Sequence, residues 1–75
     1  MNRIEQHAAL KAISINRVSV HGKVIGVGFF ISDAVTLLGA DRAFRAIRSL
    51  TACGKLLTQR VWVGSTEFEF YTTLN

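Results

Sequence analysis

An α+β fold is expected for this 75-residue chain, on three observations. A capped helical segment opens it. Apolar spacing then switches to alternation between Arg17 and Ile31, and helical spacing returns from Ser32 to Cys53. Two strand-like runs, 56–63 and 66–74, close on a Gly64-Ser65 turn. The expected order is an N-terminal helix, a strand or hairpin, one or two helices, and a C-terminal hairpin.

Asn2 followed by Glu5 fits a capping box, with Asn in place of the usual Ser or Thr. Residues 3–13 then read as a helix with Ile4, Ala8, Ala12 and Ile15 on one side, while Leu10 and Ile13 fall elsewhere. From Arg17, Val18 and Val20 alternate with Ser19 and His21, and Val24, Ile25, Val27, Phe29, Phe30 and Ile31 run nearly without interruption. Such β-branched and aromatic residues fit a pleated, buried surface. Gly22 and Lys23 fit a turn that makes 17–31 a hairpin; a single strand after a loop fits the same residues.

Ser32 or Asp33 can cap the next helix through a side-chain oxygen. Glycine inside a helix costs about 1 kcal/mol relative to alanine, so Gly39 suggests a break, with Asp41 capping a second helix over 42–52. Against it, Leu37, Ala40, Phe44, Ile47 and Leu50 keep helical spacing through the glycine, as one unbroken helix would. The break is favoured, and Gly54 ends the second helix. In the final hairpin, a two-residue Gly64-Ser65 loop suits a type II′ turn and pairs Val63 with Thr66. That register sets Val61 opposite Phe68, Gln59 opposite Phe70 and Leu57 opposite Thr72 on a mostly apolar face. On the other face Arg60 stands across from Glu69. By alternation Phe29, Phe30, Phe68, Phe70 and Tyr71 read as core, with Trp62 as an exposed interface anchor.

Residues 1–75 make a single domain. Apolar residues are 49% of the chain, more than a small domain can hide, so a protein partner or a homodimer is the expected outlet. Nine Lys and Arg against five acids leave a net charge of +4, which suits phosphate backbones or acidic proteins. Cys53 is the one cysteine, so no internal disulfide is possible and a reducing compartment is the default. The N-terminus carries Glu5, Gln6 and His7 rather than a signal-peptide pattern. The longest apolar run, 24–31, falls short of the ~20 residues a spanning helix needs. A cytoplasmic protein without membrane attachment is expected.

The arginines are the strongest candidates for chemistry. On a helix from Asp41, Arg42, Arg45, Arg48 and Ser49 fall within an arc of about 120°, with Phe44, Ile47 and Leu50 opposite and packing inward. Guanidinium forks on one face suit guanine edges or phosphates; a solvated face or an acidic protein contact explains them as well. Lys55 and Arg60 are the basic residues of the hairpin, and the Gly64 tip can offer amides to phosphate. Other chemistry is not expected. Gly26-x-Gly28 lacks the third glycine of a dinucleotide fingerprint and reads as a strand with close packing. Cys53 reads as a buried small hydrophobe, and Cys53, His7 and His21 lack metal-ligand spacing. Asp33 and Asp41 read as caps. Neither enzymatic activity, a cofactor nor a metal is expected.

Ala46-Ile47-x-x-Leu50-x-x-x-Gly54-Lys55-Leu56, followed by strand, turn and strand, resembles the end of the recognition helix and the wing of small bacterial winged helix-turn-helix regulators. Leu37-Leu38-Gly39-Ala40-Asp41-Arg42 resembles the preceding turn. The likeness covers residues 32–74 and its motifs are of low specificity; the Gly39–Ile47 interval is shorter than the common pattern, and Val35 stands where a small alanine is usual. The resemblance implies a winged fold binding duplex DNA as a transcriptional regulator, often dimeric, with Arg42, Arg45 and Arg48 in the major groove and Lys55 and the Gly64 tip on phosphate. The alternatives are a phage- or plasmid-type accessory or inhibitor protein using Trp62 and the arginines on an acidic partner, and a structural homo-oligomer joined through the strand at 24–31.

Overall fold

The computed structural model describes residues 1–18 and 22–74. The capping box forms as expected: Glu5 N donates to Asn2 Oδ1 at 2.8 Å and Asn2 N to Glu5 Oε1 at 3.1 Å. It starts α1 (Arg3–Ile13). The inward stripe of α1 is not the expected one. Gln6, Ala9, Leu10 and Ile13 turn toward the protein, with Leu10 fully buried, while Ile4 is 81% exposed and Ala8 and Ala12 face solvent. Two alanines offer little area to bury, so the leucine sets the helix's rotation.

Strands β1 (Ile15–Val18) and β2 (Val24–Phe30) pair antiparallel, with a bulge between Arg17 and Val18. Ser19, Val20 and His21 lie outside the described residues. Ile31, expected at the end of the strand, is instead the first residue of α2 (Ile31–Leu38). Helix α2 is capped from within: Asp33 Oδ2 accepts from Phe30 N at 2.9 Å and from Arg17 Nη2 at 3.1 Å. Ser32 therefore does not cap, and Asp33 does so from the third helical position, tying β1 to the start of α2.

The break at Gly39 is present, between α2 and α3 (Ala40–Ala52). Gly39 has φ 86 and ψ 158, a conformation closed to side chains with a Cβ. No side chain caps α3. Asp41, expected as the cap, sits inside the first turn, where its charge favours the helix N-terminus.

The last hairpin, β3 (Leu56–Val63) and β4 (Thr66–Thr73), has the expected register at every pair from Leu57↔Thr72 to Val63↔Thr66. Gly64 has φ 64, and no other residue type has positive φ among the described residues, the combination a type II′ turn requires. The four strands form an antiparallel sheet in the order β1-β2-β4-β3. Strand β2 lies between β1 and β4, but it meets β4 only at Phe29↔Tyr71 and Phe30↔Phe70, so 24–28 pair with β1 alone.

All three helices pack on one face of this sheet. Leu10, Ala34, Ala43, Ile47 and Leu50 meet Phe29, Leu56 and Tyr71 there, and the Phe29 and Tyr71 rings stack at 5.4 Å. The mostly apolar hairpin face is the opposite one. On it Phe70 is 1% exposed and Val61 8%, whereas Phe68 and Leu57 remain 41% and 54% exposed, so Phe68 is not core as expected. Phe30, half-buried, meets Phe70 and Phe68 edge-on. Phe70 is buried because Gly28 leaves room for it: a Cβ at Gly28 would stand 2.1 Å from the Tyr71 carbonyl oxygen and 2.8 Å from the Phe70 ring. Lys23, Val24 and Ile25 share a groove with Gln59, Arg60, Val61 and Trp62, although β4 separates β2 from β3 in the sheet. The β1–β2 ribbon therefore bends over this face, with Gly26 (φ 126) at the bend.

Candidate nucleic-acid interface

Helix α3 carries the basic surface. Ala43, Ala46, Ile47 and Leu50 are buried, the i, i+3, i+4, i+7 stripe of an amphipathic helix. Arg42, Arg45 and Arg48 lie on the opposite side, all exposed, with Ser49 half-buried at its margin. Arg17 pairs with Asp33 at 3.1 Å and Arg60 with Glu67 at 3.4 Å. The three α3 guanidinium groups take part in neither. Helix α3 ends in a Schellman motif: Lys55 N donates to Leu50 O at 2.8 Å and Gly54 N to Thr51 O at 3.2 Å, with Gly54 at φ 74. That turn directs Lys55 into solvent and the chain into β3.

The remaining candidates do not gather at this surface. Lys55 and Gly64 stand at opposite ends of β3, an eight-residue strand that spans roughly 26 Å at ~3.3 Å per residue. Arg60 lies opposite Glu69 in the register, but its Nη1 donates to Glu67 Oε1, so its charge is already partnered. Trp62 is 63% exposed, as expected of an anchor.

Phe44, expected to pack inward, is 54% exposed. It stands about 100° round the helix from Ala43 and one turn before Arg48, so it borders the arginines rather than the core. Leu37 of α2 is also exposed, at 43%. The signal for Phe44 was present in the sequence: Ala43, Ala46, Ile47 and Leu50 complete an inward stripe without it.

Cys53, expected to be buried, is exposed. It lines a groove with Arg3, Ile4, His7, Leu50 and Lys55. Its thiol points to the Leu50 carbonyl at 3.5 Å and His7 Nε2 donates to the Leu74 carbonyl, so thiol and imidazole are not hydrogen-bonded to each other. Among the described residues no group of three or more His, Cys, Asp or Glu is placed to hold a metal ion, and no helix is long and apolar enough to cross a membrane. No protein-family model, curated protein or solved structure matches this chain.

Proposed function

We propose that the chain is a small DNA-binding transcriptional regulator of winged-helix type, in which α3 enters the major groove. The observation that carries the reading is the exposed arc of Arg42, Arg45 and Arg48, outside the ion pairs of the described residues and displayed by a helix that begins at a sharp glycine break. The order of elements supports it too, since a third strand, β2, joins the C-terminal hairpin through β4. Guanidinium forks free of internal acids are available for guanine edges and phosphate oxygens. The hairpin contributes less, because Arg60 is held by Glu67.

Fluorescence anisotropy against random duplex DNA over a salt series tests the reading. Affinity that falls steeply with salt is expected, the slope counting phosphate contacts. No binding at low salt with protein above ~100 μM ends the DNA reading, because non-specific affinities ordinarily reach that range. Once an operator is selected, Arg45→Ala is expected to cost ~1–3 kcal/mol on it and much less on random duplex. Equal loss on both makes Arg45 a phosphate contact.

The exposure of Phe44 beside Arg48 favours one second reading, an acidic protein partner with apolar anchors. Phe44→Ala separates the two: a groove-reading helix loses little affinity for DNA, whereas a protein contact centred there loses most of its binding.

A further inference from the structure

Strands β1 and β3 are the outermost strands of the sheet, and their outer edges are built differently. Strand β1 has four residues, a bulge between Arg17 and Val18, and an arginine whose side chain turns back onto Asp33 and the Phe30 ring. Short length, bulging and inward charge are the devices by which sheets prevent edge pairing. Strand β3 has none of them. It is eight residues long, its pairing with β4 runs without a shift, and its sequence LLTQRVWV holds no proline and a single charge.

The direction of the free hydrogen-bonding groups of β3 follows from its turn. A two-residue loop is closed by a hydrogen-bonded pair, here Val63 and Thr66. Odd-numbered residues of β3 thus bond to β4, as Lys55 does in accepting from Leu74 N at 2.8 Å. Leu56, Thr58, Arg60 and Trp62 aim their N–H and C=O groups away from the sheet, and the last three are exposed.

We propose that β3 is a homodimer interface, pairing antiparallel with β3 of a second copy about a two-fold axis at Gln59. A two-fold axis perpendicular to the sheet must pass a residue opposite its own copy. An axis at Arg60 sets arginine against arginine, which is unfavourable. The axis at Gln59 sets Arg60 opposite Thr58, Leu57 opposite Val61 and Leu56 opposite Trp62. It pairs all of 56–62 and leaves like charges nowhere directly opposed. Leu57 and Trp62, 54% and 63% exposed, gain apolar neighbours. This complementarity of β3 to itself, with its lone charge kept off its own copy, is what selects a second copy over another strand. Seven paired residues bury less than the ~800 Å² per partner of a standard interface, so the association is expected in the micromolar range. The two-fold keeps the helices of both copies on the same side of a continuous eight-stranded sheet, so both arginine arcs face one way. The dimer itself does not depend on the DNA reading, and its test contains no DNA.

Sedimentation equilibrium of the full chain is expected to show a monomer–dimer transition. In a Cys53→Ser background, Gln59→Cys places two thiols at a non-hydrogen-bonded pair with Cβ atoms about 4.5–5.5 Å apart, near the ~3.5–4.5 Å of a disulfide. Mild oxidation is expected to crosslink it, and to crosslink Ser65→Cys, at the turn, far less. Thr58→Glu, set against the partner's arginine twice per dimer, is expected to tighten association roughly 2- to 30-fold, and Thr58→Lys to weaken it by a similar factor. A chain still monomeric near ~1 mM, where association is worth only about 4 kcal/mol, overturns the proposal. So does a dimer in which Gln59→Cys crosslinks no better than Ser65→Cys, or in which the two Thr58 variants behave alike.

Discussion

On one face of the sheet Phe29, Leu56 and Tyr71 lie beneath three helices, none more than 4% exposed; on the other, Phe68 and Leu57 keep 41% and 54% of their surface in solvent. Both faces carry aromatic and aliphatic side chains, and the more open one has the cleaner apolar alternation. The difference teaches that alternation marks a surface suited to burial without naming what will cover it. The helices take the other face, and only its lower end. Along β3 the buried positions pass from Leu56 on the helical face to Val61 on the open face. The base of the hairpin belongs to the helical core, while the tip extends beyond the helices and leaves Arg60, Trp62 and Glu67 in solvent.

The largest expected effect breaks the open face at its one tight point. Gly28→Ala drives a Cβ to 2.1 Å from a backbone oxygen of β4 and 2.8 Å from the Phe70 ring. Backbone cannot yield as a flexible side chain would, so β2 and β4 must separate. A loss on the order of 3–5 kcal/mol is expected, out of a total of roughly 4–11 kcal/mol for a chain of this length. Urea unfolding with a shifted midpoint and unchanged slope measures it. A loss below ~1 kcal/mol would mean that the open face rearranges freely and that Phe70 is not held there.

A matched pair of truncations sharpens the comparison. Leu50→Ala empties a fully buried site of the helical core and is expected to cost about 2–5 kcal/mol. Phe68→Ala removes a larger side chain from the open face, yet with 41% of it already in water the expected cost is about 1 kcal/mol. Equal costs would show that the open face is covered in solution, as it would be if a second molecule lay on it.

Much of this asymmetry lay beyond what the residues alone could say. Local signals were legible: the Asn2–Glu5 capping box, the Gly39 break, the Gly54 stop and the whole β3–β4 register rest on chemistry between residues close in the chain. The rotation of α1, the exposure of Phe44 and Cys53 and the choice of sheet face each depend on which distant element arrives against them. The arginine arc belongs to the legible part, since it needs only helical spacing and a boundary. Asp33 shows the limit within a single residue. A capping role was readable from its place before an apolar run, but its bond to Arg17, sixteen residues earlier, came only with the β1–β2 pairing.

The smallest effect is read from pH, at the point where the covered face meets water. Tyr71 belongs to the helical core, and its hydroxyl donates to a Glu69 carboxylate oxygen on the same face. Burial, then that hydrogen bond, then the carboxylate charge hold its phenol well above the ordinary value, which is about 10. A folded-state value raised above the unfolded one means that the native state keeps the proton longer. Its contribution to stability is therefore whole below pH ~10 and is lost as pH rises toward the folded value. Between pH ~10 and ~11 the protein is expected to lose up to about 1.4 kcal/mol from this group. Tyr71→Phe gives up the hydrogen bond, at a cost of ~0.5–1.5 kcal/mol near neutral pH, and loses this alkaline decline with it. Chemical unfolding of both proteins at three or four pH values separates the two terms. Parallel curves up to pH ~11 would show that the Tyr71 hydroxyl is as well solvated in the folded chain as in the unfolded one, and that the helical face is open at that edge.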